Sequence, residues 1–222
     1  MNGELGETGQ QLGEARPAPT VPPGHHRGRT LVFESILIIL SVLLGFALQA
    51  WGERRAERTM AAAALDNFRV EIEANLNDLE RVQPRHAAFA NRLAEAVADA
   101  APRSSETAFA VFARNLPEGG LQTPPLKEAA WVTATSTGAL RLLDYDLAAV
   151  LSETYLVQRS TLGPTVALLS ERLYAPGTFE RDARQAFVNV HHMLLVELAG
   201  REAYLIEVYR NALARLSEAL VE

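Results

Sequence analysis

From Leu31 to Ala50 the chain reads LVFESILIILSVLLGFALQA, twenty residues with one formal charge, Glu34. A helix of that length rises about 30 Å, the thickness of a bilayer's hydrocarbon core. Trp51 follows, an amphipathic ring suited to the headgroup layer. Arg27 and Arg29 flank one end and Arg54, Arg55 and Arg58 the other. A cleaved signal peptide needs a short basic n-region and a small-x-small site. Here some thirty residues containing acids precede the run, and Leu48-Gln49-Ala50 is a poor cleavage site. A buried core helix is rarely so long and so purely apolar. The expected organisation is therefore a disordered polar tail over residues 1–30, a transmembrane helix over 31–51, and a helical domain over 52–222.

Composition narrows what that domain does. The net charge is −6, which offers nucleic acid no strong attraction. Cysteine is absent, which removes disulfides, thiolate catalysis and cysteine-ligated metal sites. Basic residues are almost all arginine, with Lys127 the one lysine, a bias that points to a GC-rich bacterial source. Close to the span, Arg16, Arg27 and Arg29 precede it and Arg54, Arg55 and Arg58 follow it. That balance gives the positive-inside rule no vote. The location expected is the bacterial inner membrane, crossed once, with the large domain on the periplasmic side.

One face of the span is not lipid-like. Glu34, Ser41, Gly45 and Gln49 are spaced 7, 4 and 4, which places them in one stripe. Ser41 and Gly45 make a small-xxx-small pair, the spacing that lets two helices approach closely in lipid. A carboxylate one turn into the membrane must reach the interface or find a partner. These four residues are the expected association face.

Beyond the membrane, Leu65, Phe68, Ile72, Asn75, Leu79, Val82, His86, Phe89, Leu93, Ala96 and Ala100 alternate steps of 3 and 4, the a/d pattern of a coiled-coil seam. Traced backward, the register reaches Trp51, so the helix is expected to leave the membrane without a break. Asn75 and His86 are polar residues within the seam, a device that costs stability and fixes register or partner. Ser104 or Ser105 is expected to cap a short helix to Asn115. Thr123-Pro124 reads as the start of another, running to Thr137, with a break at Gly138. Asp144 is expected to cap a helix kinked near Gly163-Pro164, and Pro176-Gly177 is a turn. Two last helices are expected, one from Phe179 to Gly200 and one through Leu205, Tyr209 and Leu216. No run alternates in the strand manner. The fold class is all-α: a transmembrane helix continuing into a long helix, then an antiparallel helical bundle.

Catalytic signatures are missing. The sequence holds no Gly-rich phosphate loop, no H-E-x-x-H, no G-x-S-x-G and no paired Glu-x-x-His. His25-His26 and His191-His192 read as tail and structural histidines. The most suggestive stretch is Trp131 to Tyr145, where Trp131, Ser136, Thr137 and Asp144 form a candidate pocket or interaction site. No catalytic residue, cofactor or metal is expected.

Several motifs resemble a family of uncharacterised bacterial single-pass membrane proteins with a helical domain of unknown function. They are Glu34-Ser35 and Val42-Leu43-Leu44-Gly45-Phe46-Ala47 in the span, and Leu65-x-x-Phe68-Arg69-x-Glu71-Ile72-Glu73-x-Asn75 after it. Trp131, Thr137-Gly138-Ala139-Leu140 and Leu151-x-x-x-Tyr155-x-x-Gln158 complete the set. The resemblance covers much of residues 33–160 and implies a bacterial membrane protein, without bringing a catalytic residue. The expected function is a membrane-tethered interaction module without catalysis, its partners the bilayer and a second copy or another membrane protein. The competing expectation is a sensor that binds a small molecule near Trp131 and signals through the transmembrane helix.

Overall fold

A computed structural model describes residues 25–98, 106–175 and 184–221. Residues 1–24 of the expected tail, the Ser104/Ser105 cap, the seam's end at Ala100 and the Pro176-Gly177 turn lie outside them. The described residues form helices and loops with no strand. In chain order the helices are α1 (His25–Ala98), α2 (Ala108–Asn115), α3 (Ala129–Thr137), α4 (Tyr145–Leu173) and α5 (Arg184–Val221), with a 3-10 turn at Ala139–Leu142 between α3 and α4. The chain divides into two units, residues 1–52 and residues 53–222.

In the first unit, α1 is long and apolar enough to cross a membrane, and none of its apolar stretch is buried. Ile36, Leu37, Ile38, Ile39, Leu40, Leu43, Leu44 and Phe46 all stand at least half exposed. A core helix of a soluble protein hides such residues.

In the second unit the α1 seam is the core. Phe68, Ile72, Leu79, Phe89 and Leu93 are fully buried, and Asn75, Val82 and His86 nearly so. The seam is covered by this chain's own helices: Phe68 meets Tyr155 of α4, and Phe89 meets Phe112 of α2 edge-on at 5.2 Å. Direction follows from the cross-links. Glu80 pairs with Arg210 while the Ala90 carbonyl meets His192, so α5 runs antiparallel to α1. Gln158 meets Tyr209 while the Thr161 carbonyl meets Arg201, so α5 is also antiparallel to α4. α1 and α4 therefore run the same way, and the chain between them must travel back along α1.

Several boundaries differ from the sequence reading. α2 is capped by Thr107, whose hydroxyl accepts from the Ala110 N–H. α3 begins at Ala129 rather than Pro124. Pro125 disfavours a helical Pro124 and Pro124 a helical Thr123, so the helix does not start there. Gly138 sits at φ 75°, ending α3 and opening the 3-10 turn, and Asp144 accepts from the Asp146 and Leu147 N–H groups as the α4 cap. α4 passes through Pro164 as one helix.

The largest departure is α5, one helix through Gly200 where two were expected. Gly200 is followed by Arg201-Glu202-Ala203, all helix formers without a cap among them, and Leu198, Ala199, Glu202 and Leu205 are buried on both sides of it. Packing carries the helix across a residue that local propensity marks as a stop. The buried face of α5 takes in Phe187, Val188, His191, Leu194 and Leu195 and leaves Val190 41 % exposed.

Because a Cβ at Gly200 meets no atom within 4 Å, Gly200→Ala is expected to stabilise the bundle. The gain should be about 0.5–1 kcal/mol, read as a raised thermal midpoint by circular dichroism. A lowered midpoint would show that the helix needs glycine there.

Candidate functional site

Four polar side chains of α1 lay the returning chain along the helix. Arg92 Nε donates to the carbonyl of Asn115, the last residue of α2. Two turns earlier, Arg85 donates to the Glu118 carbonyl and to Gln122 Oε1. Asn75 grips Lys127 twice, Nδ2 donating to its carbonyl at 2.8 Å and Oδ1 accepting its N–H at 2.8 Å. Glu71 accepts the Ala130 N–H at 3.1 Å on both carboxylate oxygens. As the α1 numbers fall from 92 to 71, the partners rise from 115 to 130. The strap, residues 116–128, thus runs antiparallel to α1.

The Glu71 contact explains where α3 starts. Glu128, its N-cap residue, makes no side-chain cap bond. The cap comes instead from a carboxylate 59 residues away, which satisfies an orphan N–H and complements the positive end of the helix.

Below the strap the polar groups continue inward. Tyr155 donates to Glu71 at 2.7 Å, and Trp131 stacks on the Tyr155 ring at 5.4 Å. Burial, reinforced by the Glu71 carboxylate that accepts its hydroxyl, pushes the Tyr155 phenol far above its usual range. Gln158 donates to the Lys127 carbonyl at 3.0 Å and accepts from Asn75 and from Tyr209, whose phenol burial also pushes upward. Farther along, the fully buried Glu202 meets His86 Nδ1 with both oxygens, at 2.8 and 3.0 Å. The arrangement orients helices. It places no base beside a free nucleophilic hydroxyl, and among the described residues no three His, Asp or Glu side chains gather to hold a metal.

The residues singled out in the sequence have these places. Ser136 and Thr137 both donate to the Thr133 carbonyl of their own helix, and Asp144 caps α4. Trp131 belongs to the Glu71–Tyr155 group. Asn75 and His86 find partners within this chain. Sequence reasoning had Glu71, Tyr155 and Gln158 only as motif residues of the resemblance, without a role, and missed Glu202. The spacing Leu198, Glu202, Leu205, Tyr209 (4, 3, 4) would have shown a carboxylate in a core stripe, had the helix not been divided at Gly200. In the first unit, Glu34, Ser41, Gly45 and Gln49 are all exposed on one face of α1. Ser41 Oγ donates to the Ile38 carbonyl, and a Cβ built at Gly45 meets nothing within 4 Å.

Beside this network lies a cleft of about 500 Å³, bounded by the strap, α4 and α5 and lined in part by Gln158 and Glu202. A second feature is an aromatic box at the start of α5. His191 is 1 % exposed, stacked on Phe187 at 3.8 Å and edge-on to Phe112 at 5.3 Å. Its Nδ1 donates to the Phe187 carbonyl, and Nε2 has no partner. Burial lowers the His191 pKa from 6.5, so the neutral ring is the folded form. Compared with known proteins, the chain matches no family model, no curated protein and no solved structure.

Two outcomes follow. Asn75→Ala removes the partner of the Lys127 N–H and leaves the Lys127 carbonyl to Gln158 alone; the expected cost is about 1–3 kcal/mol, measured as a drop in the thermal midpoint, and a loss below about 0.5 kcal/mol, on the scale of an exposed substitution, would mean water replaces the clamp. For His191, the unfolded chain binds the proton more readily than the folded one. Stability should therefore be full above about pH 6.5 and fall as pH drops through that value toward the lowered folded pKa. His191→Phe should flatten this part of the pH–stability curve, and an unchanged slope would assign the loss to other groups.

Proposed function

We propose that this chain is a single-pass, membrane-anchored helical module that acts by association rather than turnover. The observation that carries the proposal is the exposure of α1 from Phe33 to Trp51. Phe33, Ile38, Phe46, Leu48 and Trp51 are each more than 60 % exposed, with seven further Ile, Leu and Val side chains at half or more. Each such side chain gains about 1.5–3 kcal/mol on leaving water. Lipid is the solvent that supplies this gain all around a helix.

In this reading the bundle sits on the periplasmic side of a bacterial inner membrane, and its partner is a second copy or another membrane protein. Glu34, Ser41, Gly45 and Gln49 form the meeting face. With Gly45 bare and the Ser41 hydroxyl turned to its own backbone, a neighbouring helix can come close. Glu34 gains from a polar neighbour there. The resemblance to single-pass bacterial membrane proteins supports the same reading. So does the inward bonding of the bundle's buried polar groups, which suits a scaffold.

The full chain is expected to remain with membranes after alkaline carbonate extraction. Gly45→Leu is expected to reduce self-association several-fold in a membrane two-hybrid or crosslinking assay. Release by carbonate would remove the anchor. Association unchanged by Gly45→Leu would remove the face.

A further inference from the structure

We propose that the cleft between the strap, α4 and α5 binds a small amphipathic amine. The inference stands apart from the anchor and its association face. At about 500 Å³ the cleft falls within the range of small-molecule sites. Its walls are apolar: Leu126 from the strap, Leu162 and Val166 from α4, Leu198 from α5. Gly163 lines it as well, and a Cβ built there meets no atom within 4 Å. Glycine at this position avoids the clash between the Pro164 ring and a preceding Cβ, and the same missing side chain leaves the wall open.

Charge selects the ligand's sign. Three ionisable side chains line the cleft, and two of them are acids: Glu128 and Glu202, against Arg159. Arg159 holds Glu128 by one contact of 3.5 Å, with both side chains 44 % exposed. An ion pair that long and that wet yields readily to a competing ammonium. Glu202 is fully buried, and its two oxygens share the single Nδ1 of His86. A cation entering the cleft meets the accessible Glu128 carboxylate, and the buried Glu202 behind the wall adds its field where apolar surroundings weaken screening. An anion has Arg159 to meet and is opposed by the same two acids, one of which His86 already holds. The ligand class that fits is a primary ammonium on a compact apolar body, its cation at Glu128 and its body along Leu126, Leu162 and Leu198.

The test uses the full chain in nanodiscs of zwitterionic lipid, titrated calorimetrically with phenethylamine, 2-phenylethanol and phenylacetate against empty nanodiscs. Phenethylamine is expected to bind with a Kd of about 1 mM or tighter, the alcohol more weakly, and the carboxylate most weakly. Glu128→Gln should weaken the amine about five-fold and leave the alcohol unchanged. Ala167→Phe, at an exposed position lining the cleft, should fill the space and abolish binding of all three. Circular dichroism on both variants confirms the fold. The proposal is overturned if phenethylamine gives no heat beyond empty nanodiscs, if phenylacetate binds as tightly, or if Ala167→Phe leaves binding intact.

Discussion

The bundle depends on the polar edge of α1. Arg92, Arg85, Asn75 and Glu71 hold residues 115, 118, 127 and 130 in turn. By doing so they return the chain to the beginning of the domain before α4 starts. A short link from α1 would have made its next long neighbour antiparallel. The strap instead places α4 parallel to α1 and leaves α5 to run against both. Each rung satisfies a backbone group that has no helix or sheet partner, and that is what makes the ladder more than decoration. An extended segment packed on a helix carries unpaired N–H and C=O groups, which are costly when buried.

The apolar part of this design was legible in the sequence and the polar part mostly was not. The twenty-residue run, the seam from Leu65 to Leu93, the break at Gly138 and the Asp144 cap all rest on local spacing or local capping, which one segment reveals by itself. The start of α3 does not. Its cap is Glu71, and nothing near Ala129 announces a carboxylate so distant in sequence. Gly200 shows the same limit from the other side. Its propensity is to end a helix, and burial of Leu198 and Leu205 on either side overrides it. Asn75 and His86 stood out as polar residues in a seam, yet their partners, Lys127 and Glu202, come from elements whose place no periodicity specifies. For the site itself, Trp131 was visible, whereas Gln158 stood only as a motif residue without a role and Glu202 lay within a helix read for its apolar residues alone.

The polar groups also answer a problem set by composition. Helices rich in alanine, leucine and arginine pack on one another in many registers with similar burial, because a repeated few side-chain shapes fit one another nearly as well after a slide of one turn. A buried pair has far fewer solutions. Glu202 can be paired with His86 in one register of α5 against α1, and Gln158 can reach Lys127, Asn75 and Tyr209 together in one register of α4. Sliding either helix by a turn would strand a carboxylate or an amide in the core, at a cost above what the slide could regain in apolar contact. Buried polarity here selects among packings that hydrophobicity alone leaves nearly equal.

His191 shows what happens where that selection is incomplete. Its Nδ1 is satisfied one turn back at Phe187, and its ring fills the space between Phe187 and Phe112 as a third aromatic would. Nε2 finds nothing. The ring earns its place by shape, and only in the neutral form, since a proton on Nε2 would put an unpaired charged donor against phenyl rings. The His86–Glu202 pair is the opposite case: there the imidazole faces a carboxylate, and the interaction specifies register. Two buried histidines in one core thus serve different ends, one bonding across helices and the other filling space, and the difference lies in whether the opposing helix presents an acid or an aromatic ring.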